Sequence, residues 1–248
     1  LPGLNRIEIV LENGRAVSGW VDASPLYAEA SPAAAPARAT VEPIPLPESL
    51  LLPDADWRDW RLWRAYAHMP WAGLHPPMEF APAAGEFLEP PATPGLRFLS
   101  PGRNVAVVSR KIDRPDITIP VDRVASKVSF LVLPLVDNHD VFSPVAQLIV
   151  HCADGAIVER TLYFPGDLDW WGPGKILGDF ATVGAGWSRN PSWETDSAVM
   201  NVVDVDLNGT RRVRSVGMRV VGENSAMGIV GVAVAAPAPI EDQKGRQP

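Results

Sequence analysis

An antiparallel all-β sandwich or jelly roll is the fold this sequence predicts, preceded by an N-terminal β-hairpin and a long Pro/Ala-rich tether. Three observations predict it. Short β-branched and aromatic runs recur from residue 104 to residue 235, turn dipeptides such as Asp-Gly and Asn-Gly punctuate them, and no convincing long helix interrupts them. With 248 residues, 46% of them hydrophobic, the chain has enough apolar material for one large β-domain with extensions.

In chain order, residues 4–21 read LNRIEIVLENGRAVSGWV, two alternating segments joined by Glu12-Asn13-Gly14, which is a hairpin signal. Two strands alone bury too little, so this hairpin (residues 1–22) should pack on another surface rather than form an independent domain. Residues 23–56 are dominated by alanine and proline and read as an extended, semi-rigid tether. The stretch WRDWRLWRAYAHMPW follows, with Trp57, Trp60, Trp63 and Tyr66 at every third residue; Trp60, Trp63 and Ala67 also fit one face of a short helix ending at Pro70. These rings either form an aromatic platform for sugars or anchor the tether to the sandwich. Residues 72–101 are again proline-rich, so 57–101 reads as a Trp/Pro-rich wrapping segment.

The sandwich is expected over 102–236. Its predicted strands are Val105–Val108, Ile117–Val121, the apolar run KVSFLVLPLV at 127–136, Val145–Cys152, Ala156–Phe164, Ala181–Trp187, Ala198–Leu207, Arg211–Val221 and Met227–Ala235. The continuous run at 127–136 suits a strand buried on both faces. Asp154-Gly155 should close a hairpin, Asn208-Gly209 another and Gly222-Glu223-Asn224 a further one. Residues 237–248 lack periodicity and read as a disordered tail.

The net charge of −7 argues against a nucleic-acid surface, which needs a concentrated basic patch. No apolar run reaches the roughly 18 residues of a membrane helix. The first residues lack a signal-peptide pattern, and a chain starting at Leu1 leaves a removed leader or a larger precursor open. Cys152, the single cysteine, excludes an internal disulfide and reads as a small buried hydrophobe in a strand.

Ile119-Pro120-Val121, Phe130-Leu131-Val132-Leu133, Ala153-Asp154-Gly155, Asp169-Trp170-Trp171 and Trp187-Ser188-Arg189-Asn190-Pro191 follow one another in an informative order. That order resembles a galactose-binding-like jelly-roll module of the kind appended to bacterial glycoside hydrolases and polysaccharide-processing proteins. In such a module a "YFLHA" strand precedes a "YADG" hairpin, a "WW" loop and a "W-x-NP" turn. The resemblance covers about residues 104–235. The sequence departs from it where Val132-Leu133-Pro134 replaces leucine, histidine and alanine, and where Cys152 replaces tyrosine.

The resemblance implies a non-catalytic carbohydrate-binding or accessory module. Trp170, Trp171, Trp187 and Trp193 would stack on sugar faces, while Asp169, Arg189 and Asn190 would bond hydroxyls. The alternative for the rings is to cap the open end of the sandwich. A second class of function is an assembly subunit docking on a larger glycan-processing enzyme, as a homo- or hetero-oligomer through residues 1–72. A third is a glycoside hydrolase or lyase using loop aspartates, among Asp137, Asp140, Asp167, Asp169 and Asp179, which requires two carboxylates to converge. His68, His75, His139 and His151 share no metal-ligand spacing. No cofactor is expected; for a structural metal, calcium on loop carboxylates fits better than zinc.

Overall fold

The computed structural model describes residues 4–10, 16–22, 40–56, 83–90, 93–136, 143–164, 167–168, 192–194 and 199–236. The backbone divides into two compact units, Leu1–Arg38 and Ala39–Pro248. In the first, β1 (Leu4–Val10) and β2 (Ala16–Asp22) pair antiparallel with Val10 opposite Ala16, as the Asn-Gly signal predicts. Their register places Ile7, Ile9, Val17 and Val21 on one face of the ribbon.

The second unit is an antiparallel β-sandwich. Its strands are β3 (Thr40–Ile44), β4 (Leu51–Asp56), β5 (Phe87–Leu88), β6 (Phe98–Leu99), β7 (Asn104–Ser109), β8 (Asp116–Leu135), β9 (Pro144–Cys152), β10 (Ile157–Tyr163), β11 (Ser192–Glu194), β12 (Val199–Val220) and β13 (Ala226–Ala236). Nine of them form one sheet in the order β10-β9-β12-β8-β13-β7-β4, with β11 added to β12 and β3 to β13. β5 and β6 pair as a separate ribbon.

Strand β8 passes through the middle of this sheet, and the apolar run in its second half is buried on both faces as expected. Val128, Phe130 and Val132 enter one apolar cluster, and Leu131, Leu133 and Leu135 enter a second. The first cluster also takes Ile117, Ile119 and Val121 from the other half of β8. The alternation has therefore changed phase within one strand, which an irregular ladder explains. Between β8 and β12 the register shifts at two places, Asp206/Arg211 and Val213/Ser215. Asp122 at the second place has φ 48°. Both long strands bend there, so the sheet folds over its own core and makes the corner of a sandwich. The sequence reads each of these strands as two.

That bend corrects two predicted turns. Asn208-Gly209 does not reverse the chain, because Asp206 pairs with Lys127 and Arg211 with Ala125, and the same partner strand continues in the same sense on both sides. Positive φ at Asn208 (52°) and Gly209 (126°) instead serves a four-residue excursion within β12. Gly222-Glu223-Asn224 likewise closes no hairpin. It links β12 to β13, which lie on opposite sides of β8. Asp154-Gly155 does close one. His151 pairs with Ile157, Gly155 sits at φ 87°, and the Asp154 carboxylate accepts the Ala156 N–H at 3.0 Å.

Part of the stretch read as a tether is structured. Residues 40–44 and 51–56 are β3 and β4, docked on β13 and β7. Proline disfavours a central strand but is tolerated at an edge, where no second neighbour requires its N–H; Pro43, opposite Ala233, lies in such an edge strand. In the proline-rich stretch after it, the β5–β6 ribbon buries Leu88 and Phe98 in the second cluster. The tryptophan-rich stretch 57–71 and the predicted strand 181–187 lie outside the described residues.

Candidate functional site

Of the seven residues expected to meet a ligand, Trp193 falls within the described residues. It sits on β11, opposite Met200 of β12. Trp170, Trp171, Trp187, Asp169, Arg189 and Asn190 lie outside them, as do Asp137, Asp140, Asp179, His68, His75 and His139. What the structure does describe are the two ends of the segment that carries them.

At the leading end, Leu168 is fully buried in the first apolar cluster. Beside it, the Asp167 carboxylate accepts from Arg160 Nη2 at 3.0 Å and from the Tyr163 backbone N–H at 3.0 Å. The Asp167 N–H donates to the Tyr163 carbonyl at 2.7 Å, so the chain turns back on the end of β10. Arg160 uses its other arm, Nη1, to donate to the Asp204 carbonyl of β12 at 2.5 Å. The Asp204 carboxylate in turn accepts from Lys127 Nζ at 3.0 Å and from the Ser129 hydroxyl at 2.6 Å. Two cations and two carboxylates thus balance in one network joining β8, β10 and β12. Charge-assisted bonds of this kind are short and directional, and the planar guanidinium suits a bridge between two acceptors. Asp167 and Asp204 serve here as braces for the backbone.

The sequence carried a signal for this network that the motif reading passed over. Along β10, Val158 and Leu162 pack toward the core, and Arg160 stands between them on the same face. A charged residue at an inward position demands a partner. Tyr163, at the end of β10, is 45% exposed and stands beside the same turn.

Three further arginines of this unit meet carboxylates. Arg212 grips Asp122 with two bonds, 2.9 and 3.1 Å, Arg123 meets Glu42 at 2.6 Å, and Arg211 meets Asp154 at 3.0 Å. The hydrogen bonds from Arg212, and then its charge, hold the Asp122 carboxyl below the usual carboxylate range. Each of these three arginines has a carboxylate partner across the sheet surface. Cys152 is buried, as expected, and burial first, then the Asp154 charge, pushes its thiol up. A thiol held protonated is a poor nucleophile.

Among the described residues no three His, Cys, Asp or Glu side chains gather into a metal site, and no helix is long and apolar enough to cross a membrane. No family model, curated protein or solved structure matches this chain.

Proposed function

We propose that this chain is a non-catalytic carbohydrate-binding or accessory module associated with polysaccharide processing. Trp170, Trp171, Trp187 and Trp193 are the stacking rings, and Asp169, Arg189 and Asn190 the partners of sugar hydroxyls. The observation that carries the reading is the anchoring of the segment bearing these residues. It leaves β10 at buried Leu168 and braced Asp167, and rejoins the sheet at β11 on β12. Anchored ends lower the chain entropy that a segment loses when it orders around a ligand. The resemblance to a galactose-binding-like module, read from motif order, supports the choice of a glycan. Asp167 belongs to the brace, which weighs against its use as a catalytic acid or base.

Tryptophan fluorescence titrated with a panel of plant and algal polysaccharides tests the proposal. A saturable shift is expected. Trp170→Ala or Trp171→Ala should weaken it by about 1–3 kcal/mol, as for stacking of a planar base on an aromatic ring, with the melting curve unchanged. No response to any glycan from the folded chain would overturn the proposal. Polysaccharide cleavage abolished by changing Asp137, Asp140, Asp167 or Asp169 would replace it with the enzyme reading.

A second reading, an assembly subunit docking on a larger enzyme, has its own observation. Leu1–Arg38 forms a unit of its own, and the described part of it is a two-stranded ribbon with Ile7, Ile9, Val17 and Val21 on one face. A two-stranded ribbon is marginal on its own in water, and docking on a partner would supply its apolar residues with a cover.

A further inference from the structure

We infer that Asn208 is a site of spontaneous deamidation, a covalent modification independent of the glycan reading. The argument rests on where the Asn-Gly pair sits. Residues 207–210 have no ladder partner on β8, on β9 or on β11, although β12 is paired on both sides of them. Leu207 is buried in the first cluster, and the Arg211 Nε–H donates to the Leu207 carbonyl at 3.2 Å, so the base of the excursion is fastened. Asn208, Gly209 and Thr210 project into solvent. A β-carbon built on Gly209 would meet no atom within 4 Å.

These features match what the reaction needs. With its amide proton lost to solvent base, the Gly209 nitrogen attacks Asn208 Cγ and a five-membered imide closes. The bond from Cγ to Nδ2 breaks, and Nδ2 leaves as ammonia after taking up a proton. Water then opens the imide at either carbonyl, leaving aspartate or isoaspartate at position 208, with no oxidant or reductant consumed. Glycine leaves its nitrogen unshielded. An excursion that neither β8, β9 nor β11 pairs can also rotate into the attacking geometry without opening those ladders.

The fold supplies its own comparisons. Asn201 is fully buried in β12 opposite Val132, so its reaction waits on opening of the ladder. Asp154-Gly155 has the same glycine, but its carboxylate is held by the Ala156 N–H at 3.0 Å and by Arg211 at 3.0 Å.

The test is peptide mapping by mass spectrometry of the intact folded chain, held at body temperature in mildly alkaline and in mildly acidic buffer. The peptide containing position 208 should gain one mass unit, with isoaspartate as the larger product and faster conversion in the alkaline sample. Conversion should be at least roughly tenfold faster than at Asn201, whose backbone is released only by sub-global opening. Asn208→Gln should abolish the change, with a small loss of stability because glutamine is less suited than asparagine to the left-handed backbone at φ 52°. If position 208 stays unmodified in the folded chain while the denatured chain converts there, the excursion is rigid and the inference fails. Equal rates at Asn208 and Asn201 would overturn it too.

Discussion

Replacing Gly231 by alanine tests how the β5–β6 ribbon is held against the sheet. A β-carbon at position 231 would lie 2.7 Å from Phe98 Cβ and 3.1 Å from its Cγ and Cδ1. Because the closest atom is the β-carbon, no rotamer of Phe98 relieves the contact. Either the ribbon backbone moves away or β13 does. β13 pairs with β8 along one side and with β3 and β7 along the other, so the ribbon is the part that yields. Phe98 and Leu88 are then drawn partly out of the second cluster. Overpacking a close-packed core costs about 1–3 kcal/mol. In a chain of this size each kcal/mol lowers the melting temperature by about 2–4 °C. Urea unfolding followed by tryptophan fluorescence should show a lower midpoint with an unchanged slope, as expected when stability falls without a change in the surface exposed. Limited proteolysis should cut faster within 83–101. If Gly231→Ala unfolds within about 0.5 kcal/mol of the parent, as an ordinary surface change does, the ribbon does not seat Phe98 against β13 and the account of the second cluster is wrong.

Arg160→Ala removes the donor shared by Asp167 and the Asp204 carbonyl. After allowance for partial exposure the loss should be about 1–2 kcal/mol in a denaturation series, with weaker glycan response if the brace positions the tryptophan segment. Asp122 and Glu89 have carboxyls lowered in the folded chain, the first by hydrogen bonds from Arg212, the second by the Gly95 N–H and then by Arg97. Their contribution is present above the ordinary carboxylate range and lost as pH falls through the lowered values, so Asp122→Asn should flatten the acid limb of a stability–pH curve. Cys152 should react with a thiol reagent at least roughly a hundredfold more slowly in the folded chain than in urea, because exposure requires opening of a core strand. Equal rates would place the thiol at the surface.

Much of the fold was legible in the chain because strand identity is a local property. The run at 127–136 has apolar side chains to offer both sides of a sheet, and both sides of β8 are filled. Asp154-Gly155 and Glu12-Asn13-Gly14 read as hairpins because the runs on either side of each turn do pair with each other. Asn208-Gly209 carries the same local chemistry, yet the chain on either side of it pairs with β8. Positive φ is needed equally for a hairpin turn and for a bulge, and which of the two forms depends on the partner strand, a contact distant in sequence. For the same reason Pro43 reads as tether and folds as an edge strand, since whether a missing N–H matters depends on what lies beside it. Charge pairing was the least legible. Arg160 announces by its inward position that it needs acceptors; the turn after its own strand supplies Asp167, but the carbonyl of Asp204, forty-four residues away, is brought to it by the folding of the long strands. Composition and alternation by themselves determined that this chain would be a β-protein with a deep apolar core. Tertiary structure alone decided where the sheet folds over itself and which charges meet there, because those depend on register between strands rather than on the preferences of any one of them.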